Sequence, residues 1–163
     1  MKVIQYLERK ILDEHSLLQW KERWKLASKK IVFTNGVFDL LHAGHIHTLK
    51  HAASFGNILI VGVNSDASVK RLKGEARPVQ CTEDRIEILS SLEMIDAVIV
   101  FEEDTPLELI KKIIPDVLVK GGDYSIETIV GANEVMAAGG KVEIIPLIPG
   151  KSSTNLIDKI TGL

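Results

Sequence analysis

Five short apolar runs, alternating with stretches of helical spacing, are the feature that most constrains the fold of this 163-residue chain. The runs cover residues 30–33, 58–63, 97–101, 117–119 and 142–145 and are apolar at successive rather than alternate positions. Strands that are apolar on both faces belong in a parallel sheet covered on each side by crossover helices. The stretches near 44–54, 82–93, 106–113, 128–138 and 154–161 supply those helices. The expected architecture is therefore a doubly wound, Rossmann-like α/β fold on a five-stranded parallel sheet. Residues 4–28 carry Leu7, Ile11, Leu17, Leu18, Trp20 and Trp24 at helical spacing among many charges, and read as an amphipathic lead-in. The expected division is a lead-in over 1–28 and one domain over 29–163, since this length fits a single core.

Local punctuation supports these boundaries. Thr105, Pro106 and Glu108 spell an N-cap, a proline at the first helical position and a capping-box acid. Gly139-Gly140 predicts a helix stop, and Ile114-Pro115-Asp116 a break before the next strand.

Twenty Lys and Arg against 22 Asp and Glu give a net charge of −2, which argues against nucleic acid as a partner. The lone cysteine, Cys81, excludes an internal disulfide and suits a reducing compartment. Charges at Lys2, Glu8, Arg9 and Lys10 interrupt any signal-like apolar segment, and no apolar run approaches the ~20 residues of a membrane span. A cytoplasmic protein is expected.

In an open parallel sheet, ligands bind beyond the carboxyl ends of the strands, and the polar clusters of this chain lie in those loops. After the first strand, residues 34–45 read Thr-Asn-Gly-Val-Phe-Asp-Leu-Leu-His-Ala-Gly-His. A strand passing through a glycine-bearing turn into a helix start offers backbone N–H groups and a helix dipole to an anion. His42 and His45 add imidazole donors able to carry charge near neutral pH, and Gly44 permits close approach. Further clusters are Asn64-Ser65-Asp66 with Lys70, Arg71, Lys73 and Arg77; Lys120-Gly121-Gly122-Asp123-Tyr124; and Pro149-Gly150-Lys151-Ser152-Ser153-Thr154.

Two common nucleotide signatures are excluded. No G-x-G-x-x-G follows a strand, and the earlier glycine that a P-loop ending in Gly150-Lys151-Ser152 would require falls at Ile145. His42, His45, His47 and His51 lie within ten residues, yet no H-E-x-x-H occurs and Gly44 suits phosphate better than metal. His47 and His51 read as helix-face residues, Trp20 and Trp24 as a packed helix face, and Phe38 as packing. Asp39 reads as a structural acceptor of backbone N–H bonds. The hydroxyls of 152–154 have helix capping as their simpler role.

The pattern Thr34-x-Gly-x-Phe-Asp-x-x-His-x-Gly-His resembles the His-x-Gly-His nucleotidyltransferase superfamily. Residues 33–36, 63–68, 71–74, 77–79, 101–106 and 118–124 together resemble the D-glycero-β-D-manno-heptose 1-phosphate adenylyltransferase branch, and the likeness spans about residues 2–161. That resemblance implies transfer of AMP from ATP to a heptose 1-phosphate, releasing pyrophosphate and giving ADP-heptose for the lipopolysaccharide core. It also implies Mg²⁺ held mainly by the nucleotide phosphates, a homodimer and a separate sugar kinase in the same pathway.

By the same resemblance His42, His45 and Lys73 are the catalytic set. Thr34, Asn35, Gly36, Phe38, Gly44, Lys120, Gly122, Asp123, Ser152, Ser153 and Thr154 are expected at the nucleotide; Asn64, Asp66, Arg71, Arg77 and Arg85 at the sugar substrate. No resident protein-bound metal is expected. Departures from the family pattern occur at Val37, Ala53, Leu147 and Ser153. Leu147 stands where relatives carry a basic residue, so one anion contact must come from elsewhere, with Lys151 and Lys120 the candidates. A cytidylyltransferase acting on CTP and glycerol 3-phosphate, and a non-catalytic nucleotide-binding module, are the alternative readings.

Overall fold

In the computed structural model, residue 5 and residues 7–162 are described. The first residues of the expected lead-in, 1–4 and 6, lie outside them. The elements run β1 (Ile11–Leu12), α1 (Glu14–Leu26), β2 (Ile31–Gly36), α2 (Ala43–Ala53), β3 (Ile58–Asn64), α3 (Asp66–Lys73), α4 (Thr82–Ser90), β4 (Ala97–Phe101), α5 (Leu107–Ile113), β5 (Val117–Gly121), α6 (Ala132–Ala137), β6 (Lys141–Ile145) and α7 (Ser153–Thr161). A 3₁₀ turn, Ile126–Thr128, precedes α6.

All pairings are parallel, in the order β1-β4-β3-β2-β5-β6. Alternate residues of each strand feed opposite faces. Phe33, Ile60 and Leu118 pack with Leu17 of α1, Ile110 and Ile113 of α5 and Val135 of α6. Val32, Val61 and Val119 pack with Leu49 and Ala52 of α2 and Leu89 of α4. This two-sided burial is why the strands read as continuous apolar runs. Asp116 and Asp96 fix where two strands begin, accepting the N–H groups of Ile31 and Leu59 at 2.7 and 2.8 Å.

The doubly wound architecture agrees with the sequence reading, and the sheet has six strands rather than five. The sixth is β1, inside the stretch read as helical; Ile11 and Leu12 pair with Val98 and Ile99 at the sheet edge. Asp13 then caps α1, accepting the N–H of Ser16 at 2.7 Å. A two-residue edge strand is too short to set up a periodicity, so helical spacing masked it.

Helix α3 was likewise unexpected, its residues having been read as a polar loop. Only Ser68 and Val69 are buried on it, so it carries no apolar stripe, and Ser65 caps it through the N–H of Ser68. The predicted capping box at α5 does not form: Pro106 is the cap residue, without a side-chain cap bond, and Glu108 instead pairs with Lys111. The predicted stop after α6 does form, with Gly139 at φ +86° and the Gly140 N–H bonded to Val135 O at 2.9 Å.

From β2 the chain steps to β3 and β4 on one side, then returns to place β5 and β6 on the other. The order therefore reverses between β2 and β5, which puts a crevice at the carboxyl ends of those two strands.

Candidate active site

Beyond Gly36 the chain makes the turn that sequence reasoning singled out. Phe38 takes φ +49°, a left-handed conformation that costs a bulky residue on the order of 1–3 kcal/mol and must be held by its surroundings. The hold comes from Asp39 and Arg85. Asp39, 1% exposed, accepts the N–H groups of Val79 and Gln80 at 2.8 and 2.9 Å and pairs with Arg77 at 2.7 Å. Burial pushes its carboxyl pKa up, but these bonds outweigh that and hold it below the usual value. Arg85, also 1% exposed, donates to Val37 O, Gln80 O, Asp66 Oδ1 and Thr82 Oγ1.

His42 is the N-cap of α2, and its Nδ1 accepts the N–H of Gly44 at 3.1 Å. In the neutral ring that bond leaves the proton on Nε2, so His42 presents an N–H donor. His45, one turn on, stacks on His42 with ring centroids 3.9 Å apart, and Phe38 closes its other side at 5.2 Å. Gly44 is required by this closeness: a Cβ there would lie 2.9 Å from the His42 ring and 3.3 Å from Cβ of Lys151.

The electrostatics correct the sequence expectation about charge. Burial, then His42, then Lys73 lower the His45 pKa to about 4. Burial, then Lys151, lower that of His42. Before an anion arrives, His45 is therefore neutral at pH 7 and acts as a hydrogen-bonding group rather than a fixed cation.

A cavity of about 360 Å³ opens over the two rings. It gathers much of what the sequence separated: Thr34, Asn35, Gly36 and Phe38 from β2 and its turn, His42, Gly44 and His45 from α2, Lys73 from the end of α3, and Ser152, Ser153 and Thr154 from α7. Sequence reasoning missed Thr48 and gave no site role to Gly121 or Tyr124. Thr48 has no motif to mark it; it lies one turn beyond Gly44, its hydroxyl bonded to Gly44 O at 3.2 Å. Leu147 and Lys151 also line this cavity. No carboxylate side chain lines it, and among the described residues neither Lys73 nor Lys151 makes a salt bridge.

The three hydroxyls of α7 divide their work. Ser152 caps the helix, accepting Asn155 N–H at 3.0 Å, and Ser153 Oγ donates to Leu40 O at 3.1 Å, tying α7 to the turn before His42. Thr154 is exposed at the cavity wall.

An adjoining cavity of about 260 Å³ shares Asn35 and Tyr124 with the first and is lined also by Asn64, Thr105, Lys120 and Thr128. Lys120 Nζ donates to Asn35 Oδ1, and burial lowers its pKa to about 8. Lys120 thus belongs to this second cavity rather than to the one over the rings.

The structure does not bring the remaining expected substrate residues to either cavity. Arg85 and Asp66 pair with each other beneath the turn, Arg77 is spent on Asp39, and exposed Arg71 pairs with Asp104. Gly122 commits its N–H to Ile145 O, and Asp123 is exposed outside both linings. Arg71, Arg77, Arg85 and Asp66 look alike in sequence, but fixed partners had already claimed them.

Among the described residues no group of three His, Cys, Asp or Glu side chains could hold a metal ion, and no helix is long and apolar enough to cross a membrane.

The chain is similar to known proteins. The chain is 55% identical over 139 residues, 85% of its length, to the bifunctional protein HldE of Geobacter metallireducens, and 49% identical over 150 residues to that of Koribacter versatilis. It spans 28% and 31% of those relatives, so it corresponds to a part of them. They carry two functions on one chain, which differs from the separate kinase expected. Among solved structures, the lipopolysaccharide core biosynthesis protein of Thermoplasma volcanium superposes with a TM-score of 0.59 at 29% identity, covering 74% of this chain and 97% of that one. The pantoate-beta-alanine ligase of Francisella tularensis, at 18% identity, TM-score 0.63 and coverage of 94% and 78%, shares the fold alone. The sequence profile of the cytidylyltransferase-like family matches residues 33–159, and with the stacked histidines at the mouth of β2 this establishes that the chain belongs to the cytidylyltransferase-like family of nucleotidyltransferases.

Proposed function

We propose that this chain transfers AMP from ATP to D-glycero-β-D-manno-heptose 1-phosphate, giving ADP-heptose and pyrophosphate in the cytoplasm. One observation carries the reading: two stacked imidazoles and two lysines that, among the described residues, have no salt-bridge partner surround a cavity that no described carboxylate lines. In a chain of net charge −2, such an uncompensated cluster is suited to a polyanion. The similarity to HldE proteins and to a lipopolysaccharide core biosynthesis protein supports the heptose substrate.

The sugar phosphate is already an anionic nucleophile, because the second pKa of a phosphate monoester is about 6. A phosphate oxygen attacks the α-phosphorus in line, the new P–O bond forms as the bond to the β-phosphate bridge breaks, and pyrophosphate leaves with the electron pair. No general base is needed, so catalysis reduces to alignment and charge neutralisation. His42 offers Nε2–H to the triphosphate, His45 adds the second ring, Lys73 neutralises the reacting phosphates, and Thr34 and Thr154 supply hydroxyls at the wall. Mg²⁺ arrives as part of the nucleotide substrate, bound through phosphate oxygens and water. The sugar occupies the adjoining cavity, where Asn64, Lys120 and Thr128 suit a polyol. The sugar phosphate itself is the product of a sugar kinase.

Pyrophosphate release, measured for ATP and CTP against the heptose 1-phosphate and glycerol 3-phosphate, tests this. Turnover confined to ATP with the heptose phosphate is expected. Preference for CTP with glycerol 3-phosphate refutes the substrate assignment, and tight ATP binding without release from any pair refutes the enzymatic one.

A further inference from the structure

Helix α3 ends at Lys73, the lysine that reaches the cavity over the rings, yet little in the helix itself fixes where that lysine stands. A helix this short is marginal in water, where about 12–15 residues are needed, and only Ser68 and Val69 are buried on it. Its placement therefore depends on tertiary hydrogen bonds, and these converge on one short connection, residues 102–104 between β4 and α5. At the start of α3, Ser65 Oγ donates to Glu102 Oε2 at 2.6 Å. One turn on, Ser68 Oγ donates to Glu103 O at 3.0 Å. In the last turn, Arg71 donates through Nε to Asp104 Oδ1 at 2.7 Å and through Nη2 to Glu102 O.

Arg71 is the tie nearest the reacting region. Lys73 follows two residues later, roughly 3 Å along the helix axis, and Gly74 at φ +90° ends the helix directly after it. Lys73 stands close enough to His45 to be among the causes that lower that ring's pKa. Arg71 itself lines neither cavity, although its neighbour Leu72 and its partner Asp104 both line the adjoining one. Any influence of the guanidinium on substrate therefore runs through α3. Two donors of one planar fork held by two acceptors fix the orientation of that last turn, while a pair this exposed adds little to global stability.

We infer that Arg71 is a positioning residue for the transfer reaction: by clamping the last turn of α3 to the β4–α5 connection, it aims Lys73 at the phosphates held over the histidines. The inference rests on the nucleotidyltransfer reading above. The far end of the clamp, Asp104, stands in the wall of the adjoining cavity, so the placement of Lys73 is tied to the surface against which the acceptor sits.

A double-substitution cycle between Arg71 and Lys73 tests the inference, read in the calorimetric affinity of the intact chain for inorganic tripolyphosphate and in kcat. Arg71→Ala should weaken tripolyphosphate binding and lower kcat by about tenfold or more, as for misplacement of a group at the reacting centre. Its melting temperature should stay within about 4 °C of wild type. In a Lys73→Ala chain the same substitution should change neither affinity nor kcat further. Arg71→Lys should recover only part of the loss, because one ammonium lacks the planar fork that serves both Asp104 and Glu102 O. Lys70→Ala, which removes an exposed charge one residue away, should leave both readouts at wild type and so separates aim from loss of charge. Wild-type affinity and kcat in Arg71→Ala overturn the inference, and so do equal losses with and without Lys73. Failure of the wild-type chain to bind tripolyphosphate overturns the phosphate site itself, and the role of Arg71 with it. Coupling between Arg71 and Lys73 in binding, alongside no turnover of any sugar phosphate, upholds Arg71 and refutes the acceptor assignment.

Discussion

The depressed His45 pKa makes the ligand-free protein acid-sensitive in a way that one substitution can isolate. An unfolded histidine titrates near 6.5, whereas the folded His45 titrates at about 4, because burial and the neighbouring His42 and Lys73 penalise its charged form. Between those two values the unfolded chain holds more protons than the folded one, so stability falls as the pH falls through that window. Above pH 6.5 both rings are neutral and the group costs nothing; below pH 4 both are charged and its penalty is constant. At pH 5.0 the difference amounts to about 2 kcal/mol if the whole shift counts, and to about 1 kcal/mol once partial solvent access to the ring is allowed for. His45→Gln puts a non-titrating amide of similar reach in place of the imidazole and removes the titration. Urea denaturation of both proteins at pH 7.5 and 5.0 gives a double difference in which carboxylates such as Asp39 and Asp66 cancel. The wild-type chain should lose ~1–2 kcal/mol more than the variant. Equal losses, or a proton NMR titration placing the His45 midpoint at or above 6.5, would refute the assignment of a desolvated, neutral ring.

Other perturbations separate catalysis from scaffolding. His42→Ala and His45→Ala should each lower single-turnover rates at least about a hundredfold with circular dichroism unchanged, the loss typical of one preorganised donor. Gly44→Ala places a methyl group 2.9 Å from the His42 ring, so kcat should fall by about tenfold or more. Its melting temperature should hold, because alanine favours α2 over glycine by ~1 kcal/mol; a fully active variant would show that the ring spacing is unimportant. Arg85→Met strips partners from Asp66 and from the carbonyls of Val37 and Gln80, and should cost about 3 kcal/mol in chemical denaturation. Wild-type stability with a raised KM for the sugar phosphate would return Arg85 to the substrate.

The centre of the site was legible because it is contiguous. One strand, one turn and one helix start, residues 34–45, carry the threonine, the close-approach glycine and both histidines, so their juxtaposition follows from local geometry. The core strands were legible for a similar reason, since burial on both faces writes itself as an unbroken apolar run. Lys73 and residues 152–154 were also picked out, as polar residues following strands whose ends all point the same way.

Composition and local pattern thus determined the fold class and the turn that carries both histidines. Tertiary structure alone decided which charges remain available to a ligand. Arg77, Arg85 and Asp66 are ordinary polar loop residues in sequence, and their partners at Asp39, Val37 and Arg85 lie 38, 48 and 19 residues away. A charge in sequence carries no information on whether the returning chain neutralises it. Only the packed structure shows that Lys73 and Lys151 escape such pairing among the described residues, that His45 is desolvated, and that a two-residue strand completes the sheet edge. Desolvation and ion pairing depend on what surrounds a group in space, and that is set by contacts between segments distant along the chain.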